Sequence, residues 1–280
     1  MIAQLNTTHI LPVLANRKAL IAITQTDDRI IGDHERENFC DMPLEQTHME
    51  EQTKPRILIF GASGHAKVVT DAVEKEGMYR IAGLIDNYKQ PGAECNGYLV
   101  IGKVADLPFL MQREEIAGGV MAISDNWVRS LVREQIEMTA PGFNFLSILH
   151  PGATIGSNVS IGAGTVILAG ANLGPESIVR THCIINSLAS LDHDSVMEDY
   201  CSLAPGAITG GNVFIGAFSA VCLGAKIIHN VTIGTHTVIG AGAVVVSNIP
   251  AFCVAYGLPA KIIRSRKPGD PIFSNGDYYV

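Results

Sequence analysis

The chain has 280 residues, 47% hydrophobic and 17% charged, with 28 glycines and a formal net charge of −7. That is length for one large or two ordinary domains, with enough apolar side chain to repay chain entropy, which excludes a disordered chain. The acidic balance, with a sequence pI of about 5.7, and the lack of a basic stripe or aromatic RNA-binding motif argue against a nucleic-acid partner.

Residues 1–54 form an N-terminal extension to which the sequence assigns no role. Its first part has room for two short strands, Leu20–Thr24 being the clearest, and lacks the basic start and apolar run of a secretory signal. Asp27–Lys54 carries nine acids against three bases and reads as a linker or an exposed turn and helix. Six cysteines without a C-x-x-C pair make no disulfide framework, so a cytoplasmic location with reduced thiols is expected.

From residue 55 to 148 strands and helices alternate. Arg56–Phe60 is a buried-strand run, followed at once by Gly61-Ala-Ser-Gly-His65 and a helical stretch, Ala66–Glu76. Ile81–Ile85 ends in Asp86-Asn87, and Gly119–Ile123 ends in Ser124-Asp125-Asn126 before a helix over Trp127–Met138. The alternation predicts a small Rossmann-like parallel α/β sheet with ligand loops at the carboxyl ends of its strands. The first loop offers N–H groups at a helix start, suited to a phosphate, with His65 as a further donor; a tight turn needing glycine would look the same.

Residues 149–266 have a different composition. Pro151–Pro250 contains only seven charged residues, four of them within 192–199. Ile227–Ala260 has none, but polar residues and prolines interrupt it, so no membrane insertion is expected. Stepping by six from Ile155 to Val245 meets an aliphatic residue at every position but Thr209. A second column, four residues later, runs from Val159 to Ile249 and is small or β-branched, and glycine follows the aliphatic position at 156, 162, 174, 210, 216, 234 and 240. A period of six fits neither a helix nor a plain strand. It fits short strands joined by turns, three to a triangular coil, with the glycines expected to supply the turn dihedrals. Residues 267–280 form a polar C-terminal tail.

The hexapeptide repeat resembles the left-handed parallel β-helix of bacterial acyltransferases. The fold class expected is therefore an α/β domain followed by an all-β left-handed parallel β-helix. With GASGHAKVV (61–69), GLIDN (83–87), AISDN (122–126), HPGATIG (150–156), DHDS (192–195), APGA (204–207) and YGLPAKIIR (256–264), the chain resembles the sugar O-/N-acyltransferase family. That family includes sialic acid O-acetyltransferases and UDP-4-amino-sugar N-acetyltransferases. The resemblance implies a nucleotide-sugar site at Ser63, Gly64, His65, Asp86, Asn87 and Ser124. The family commonly has a second Asp at 87 and Gly at 124.

His193 stands in the only acidic cluster of the repeat and outside both inward columns. Acyl transfer from a thioester needs a base for the attacking amine or hydroxyl, and a neutral imidazole beside a carboxylate suits that task. A surface histidine in a solvated turn is the plainer alternative. The resemblance implies that His193 is the base and Asp194 its tuning partner. Gly211, eighteen residues on, is one coil away and is the candidate oxyanion donor. The resemblance also implies that Asn186 faces the substrate and that acetyl-CoA, the cosubstrate, lies between the β-helices of a homotrimer. Its expected contacts are Ser202 (where family members usually have a second histidine), Leu223, Ala241, Lys261 and Arg264; the last two would also suit a capping segment with solvated charges. No metal is expected, since the H-x4-H spacing of zinc-binding relatives is absent, and Cys183 and Cys201 read as core filler. The function expected is acetylation of the amino group of a nucleotide-linked sugar. The rivals are O-acetylation of a sialic-acid-like sugar and a non-catalytic sugar-nucleotide-binding trimer.

Overall fold

The computed structural model describes residues 53–271; the strand expected at Leu20–Thr24, nearly all of the charged segment before residue 55 and the tail beyond 271 lie outside these. The run Ile57–Phe60, wholly buried, forms β1 (Arg56–Phe60), a strand with a parallel neighbour on either side. Helix α1 (Gly64–Glu76) follows and stops at Gly77, which takes the left-handed conformation (φ 69°) that glycine adopts without a Cβ clash. Next come β2 (Arg80–Ile85), the hairpin β3 (Glu94–Cys95) and β4 (Tyr98–Gly102), α2 (Leu107–Glu114), β5 (Ile116–Met121) and α3 (Asn126–Thr139). The order is β3-β4-β2-β1-β5, parallel except for β3. The hairpin and α2 go beyond the elements expected above, although Asn96-Gly97, both left-handed (φ 53° and 80°), is a two-residue hairpin turn signal and Pro108 marks the first turn of α2. The strand expected over 119–123 starts earlier, because Gly118 and Gly119 let the strand press against the Asn144 carbonyl and the Phe60 ring.

The repeat forms a left-handed parallel β-helix of two-residue strands. Its first face runs from Thr154–Ile155 to Val244–Val245, its second from Ser160–Ile161 to Thr232–Ile233, and its third from Ile148–Leu149 to Val238–Ile239. Successive strands on a face are eighteen residues apart, as in Asn172↔Ser190. The third face closes with Cys253–Gly257, which turns back as Ala260–Ser265 in an antiparallel hairpin. Both inward columns are buried as expected, from Ile167 and Ala171 through Val245 and Ile249.

The glycines that follow the aliphatic column do not supply the turn dihedrals. None of them has a positive φ; a Cβ at Gly156, Gly162 or Gly174 would instead meet the backbone of the next coil. The left-handed residues sit two positions further on, one column to an edge. The first edge has Asn158, Glu176, Asp194, Asn212 and Asn230; the second has Gly164 and then the ring residues His182, Tyr200, Phe218, His236 and Phe252; the third has Gly170, Leu188, Gly206, Gly224 and Gly242. On the second edge these rings stack, with centroids 5.2, 5.0, 4.7 and 5.3 Å apart in chain order.

The α/β domain packs on the third face, where Ile148, Val166 and Leu168 share a core with Ile57, Val69 and Val73. Trp127 of α3 lies against Phe218 and His236 on the second edge. Among the described residues no helix is long and apolar enough to cross a membrane.

Candidate active site

His193 lies on the first edge, in the turn between strands Ser190–Leu191 and Val196–Met197. Its N–H donates to Asp192 Oδ1 (2.8 Å) and its carbonyl accepts from Asn212 N–H (2.8 Å), so the backbone is pinned within and between coils. The left-handed Asp194 turns its carboxylate back to the ring, with Nδ1 to Oδ2 at 2.7 Å. That contact favours the tautomer with the proton on Nδ1 and leaves Nε2 with its lone pair. The Asp194 hydrogen bond, then the Asp192 charge, hold the imidazole pKa above 6.5. The two side chains are 55% and 60% exposed, so in water the pair orients more than it stabilises.

The ring rests on the next coil at Gly211. A Cβ there would overlap His193 Cε1 and Nε2, so this glycine is needed for close approach. Its carbonyl accepts from Asn230 N–H (3.0 Å), while its own N–H donates to nothing among the described residues. An imidazole lone pair and an unspent backbone donor thus lie side by side.

The three loops of the α/β domain form a second group. Ser63 precedes α1 without capping it, and a Cβ at Gly64 would meet nothing. Asp86 binds the loops together: Oδ2 accepts from Ala62 N–H (3.0 Å), Oδ1 from Tyr88 and Lys89 N–H (2.9 and 3.0 Å). Lys89 Nζ donates to the Ala62 carbonyl. Asn87 is engaged at both ends, donating to Gln135 Oε1 (2.9 Å) and accepting from Val104 N–H (3.1 Å). His65 has a buried, unpartnered Nε2, and burial, then the Arg129 charge, lower its pKa to about 4. Ser124 is exposed.

The remaining candidates lie on other parts of the prism. Asn186 opens a turn of the third edge, its Oδ1 accepting from Ser187 N–H (2.8 Å). Leu223, 58% exposed, and Ala241 follow one above the other on that edge. Tyr256 packs over Gly240, and its hairpin partner Lys261 continues the line. Arg264 stands 3.9 Å from Asp270 and Ser202 is half-buried on the third face. Cys183 and Cys201 are buried, and burial pushes the Cys183 thiol up to about 12, out of range for a nucleophile. No group of three or more His, Cys, Asp or Glu side chains among the described residues is placed to hold a metal ion.

One chain does not bring the two groups together. The loop after β5 is tied to the second edge, where Asn126 Nδ2 donates to the Ser219 carbonyl (3.0 Å) and Arg129 to that of His182 (2.9 Å). His193 stands across the second face, on the first edge. Sequence reasoning missed Arg129, which is wholly buried, and the stacked edge, whose only trace was the eighteen-residue spacing of His182, Tyr200, Phe218 and His236.

Residues 56–136 match the family model described as the PglD N-terminal domain. No curated protein matches the chain significantly. Among solved structures, a variant of GDP-perosamine N-acetyltransferase from Caulobacter crescentus, in complex with CoA and GDP-perosamine, is 32% identical with a TM-score of 0.70, over 75% of this chain and 97% of that one. The acetyltransferase domain of PglB from Neisseria gonorrhoeae is 30% identical (TM-score 0.69), over 75% of this chain and 100% of that one. WeeI from Acinetobacter baumannii is 27% identical (TM-score 0.67), with the same coverage, 75% and 100%.

Proposed function

Because the chain belongs to the sugar O-/N-acyltransferase family of hexapeptide-repeat acetyltransferases, we propose that it moves acetyl from acetyl-CoA to the amino group of a nucleotide-linked amino dideoxy sugar in bacterial surface-glycan synthesis. The observation that supports this most is His193 held by Asp194, with its ring over Gly211 and the Gly211 N–H unspent. The sugar amine attacks the thioester carbonyl directly, and His193 Nε2 takes the proton it sheds. Asp194 stabilises the imidazolium, and the Gly211 N–H donates to the oxyanion. Collapse expels CoA as thiolate, which takes the proton back from His193, leaving amide and free thiol. No acyl-enzyme is required.

In this reading residues 55–148 hold the nucleotide sugar through Ser63, Gly64, His65, Asp86 and Ser124, with Asn87 bracing the loop, and Asn186 faces the sugar. Residues 149–266 hold acetyl-CoA along Leu223 and Ala241, with Ser202 near the acyl end and Lys261 and Arg264 on the CoA phosphates. The enzyme works as a homotrimer in the cytoplasm. Steady-state kinetics with acetyl-CoA and UDP-, dTDP- and GDP-linked 4-amino-4,6-dideoxy sugars test it. Turnover of at least one, with kcat reduced about 10²–10⁴-fold in His193→Ala, is the expected result. No turnover with any of them, or an unchanged kcat in the variant, refutes it.

A further inference from the structure

Among the described residues Arg129 is the largest wholly buried side chain, and none of their carboxylates bonds to it. Taking a guanidinium out of water is expensive unless all its donors are matched. Here six contacts match them, five to backbone carbonyls. Nη1 donates to Ile123 O (2.8 Å) and Ser124 O (3.1 Å), in the loop after β5. Nε donates to His182 O (2.9 Å), and Nη2 to Asn126 Oδ1 (2.7 Å), Tyr200 O (3.3 Å) and Cys201 O (3.5 Å). His182 and Tyr200 occupy equivalent turns of successive coils, and Tyr200 lies in the same coil as His193. The carbonyls of these left-handed residues accept no coil-to-coil hydrogen bond, so they are available to an outside donor.

We propose that Arg129 is a positioning residue for substrate: its planar fork locks the Ile123–Asn126 loop to the β-helix at the level of the coil that carries His193. Arginine suits this because its donors diverge in fixed directions, whereas a lysine ammonium would reach only part of the set. A threefold axis parallel to the coil axis conserves height. A loop held at that level on one subunit therefore stands level with His193 of every subunit. Asn126 takes part from the other side, accepting from Arg129 and donating to Ser219 O.

The inference rests on the nucleotide-sugar reading of that loop, and the test separates the two. With GDP-perosamine, or whichever of the nucleotide sugars above turns over best, Arg129→Lys is expected to raise the sugar KM at least about tenfold, with the acetyl-CoA KM within about twofold. A loss of activity that only tracks the folded fraction, with both KM values unchanged, overturns the proposal, as does an equal rise in both. Asn126→Ser, which keeps Arg129 in place, is expected to shift the sugar KM the same way by less, and serves if Arg129→Lys fails to fold. Amide hydrogen exchange gives a readout free of activity. Residues 122–126 are expected to exchange faster in either variant while the inward columns stay protected, and unchanged exchange there overturns the positioning role even if no sugar is a substrate. Wild-type protein that turns over none of the sugars, but shows faster loop exchange in the variants, overturns the functional reading and leaves the loop lock standing.

Discussion

Asp194 does two things to one imidazole: it fixes which nitrogen carries the proton, and it raises the ring's proton affinity. A base must be neutral to act, so kcat/KM should rise as pH climbs through the His193 pKa, above 6.5, and then level off. Asp194→Asn removes the main cause of the raised pKa. The rising limb should move to lower pH, while the plateau drops about tenfold or more as the ring loses its anchor. A limb that stays in place in the pH profile of Asp194→Asn would show that another group titrates. Gly211 is tested at the same scale. Its φ is ordinary, so Gly211→Ala strains nothing in the backbone, but the methyl displaces the His193 ring from the coil below it. Overpacking of this kind costs about 1–3 kcal/mol in a tight core and less at an edge, whereas moving the base by about 1 Å can cost 10²-fold in rate. The variant should melt near the wild-type temperature yet lose most of its kcat.

At the scale of the element, the second edge is a stack that mixes two imidazoles with phenol and phenyl rings. His182 lies between Phe145 and Tyr200, 5% exposed, with Nδ1 unpartnered. Burial, then the charges of Arg129 and Arg133, lower its pKa to about 4, against the weaker opposing pull of Asp199. The sign follows from this. Above pH 6.5 the ring is neutral folded or unfolded and contributes no pH dependence. As pH falls from 6.5 towards about 4 only the unfolded chain takes up the proton, so stability declines, by about 3 kcal/mol in all before it levels off. His182→Phe keeps a ring in a conformation that Phe218 and Phe252 already adopt, and it should flatten this part of the urea midpoint against pH. An undiminished slope would assign the acid sensitivity elsewhere. The same edge shows where sequence reading stops. The period of six exposed both inward columns because each column repeats one physical demand at every step. The outward edges carry different chemistries, so only their eighteen-residue spacing was there to be read. His193 was legible as a lone histidine in the one acidic cluster of a charge-poor domain. Arg129 was not: an arginine in a helix of mixed polarity reads as surface, and three of the five carbonyls that receive its donors come from residues 53 to 72 positions away. The role of Asp86 was hidden too, since its ligands are backbone N–H groups brought together only by the fold.

The whole molecule sets the last constraint, because the two halves of the proposed site lie on different edges of one chain. The loop after β5, one of the three proposed for the nucleotide, is tied to the second edge and His193 stands on the first, so on the proposed reading a chain acting alone separates base from sugar. In the proposed homotrimer, packing three prisms around an axis with the first edge of one against its neighbour would make each site a joint product of two chains. Complementation tests this directly. His193→Ala removes the base and leaves the loops intact. Gly64→Phe fills the open space at the start of α1, where a side chain meets no protein atom, and obstructs the loops while leaving the base. Each variant alone should be inactive. Mixed at equal concentration and allowed to reassemble, a random trimer has one intact loop set facing one intact base at about one quarter of its sites. Activity near that fraction of wild type is the expected result. Sites built within one chain would give none, since no chain in the mixture has both parts, and sedimentation of the mixture as monomers would remove the shared site altogether.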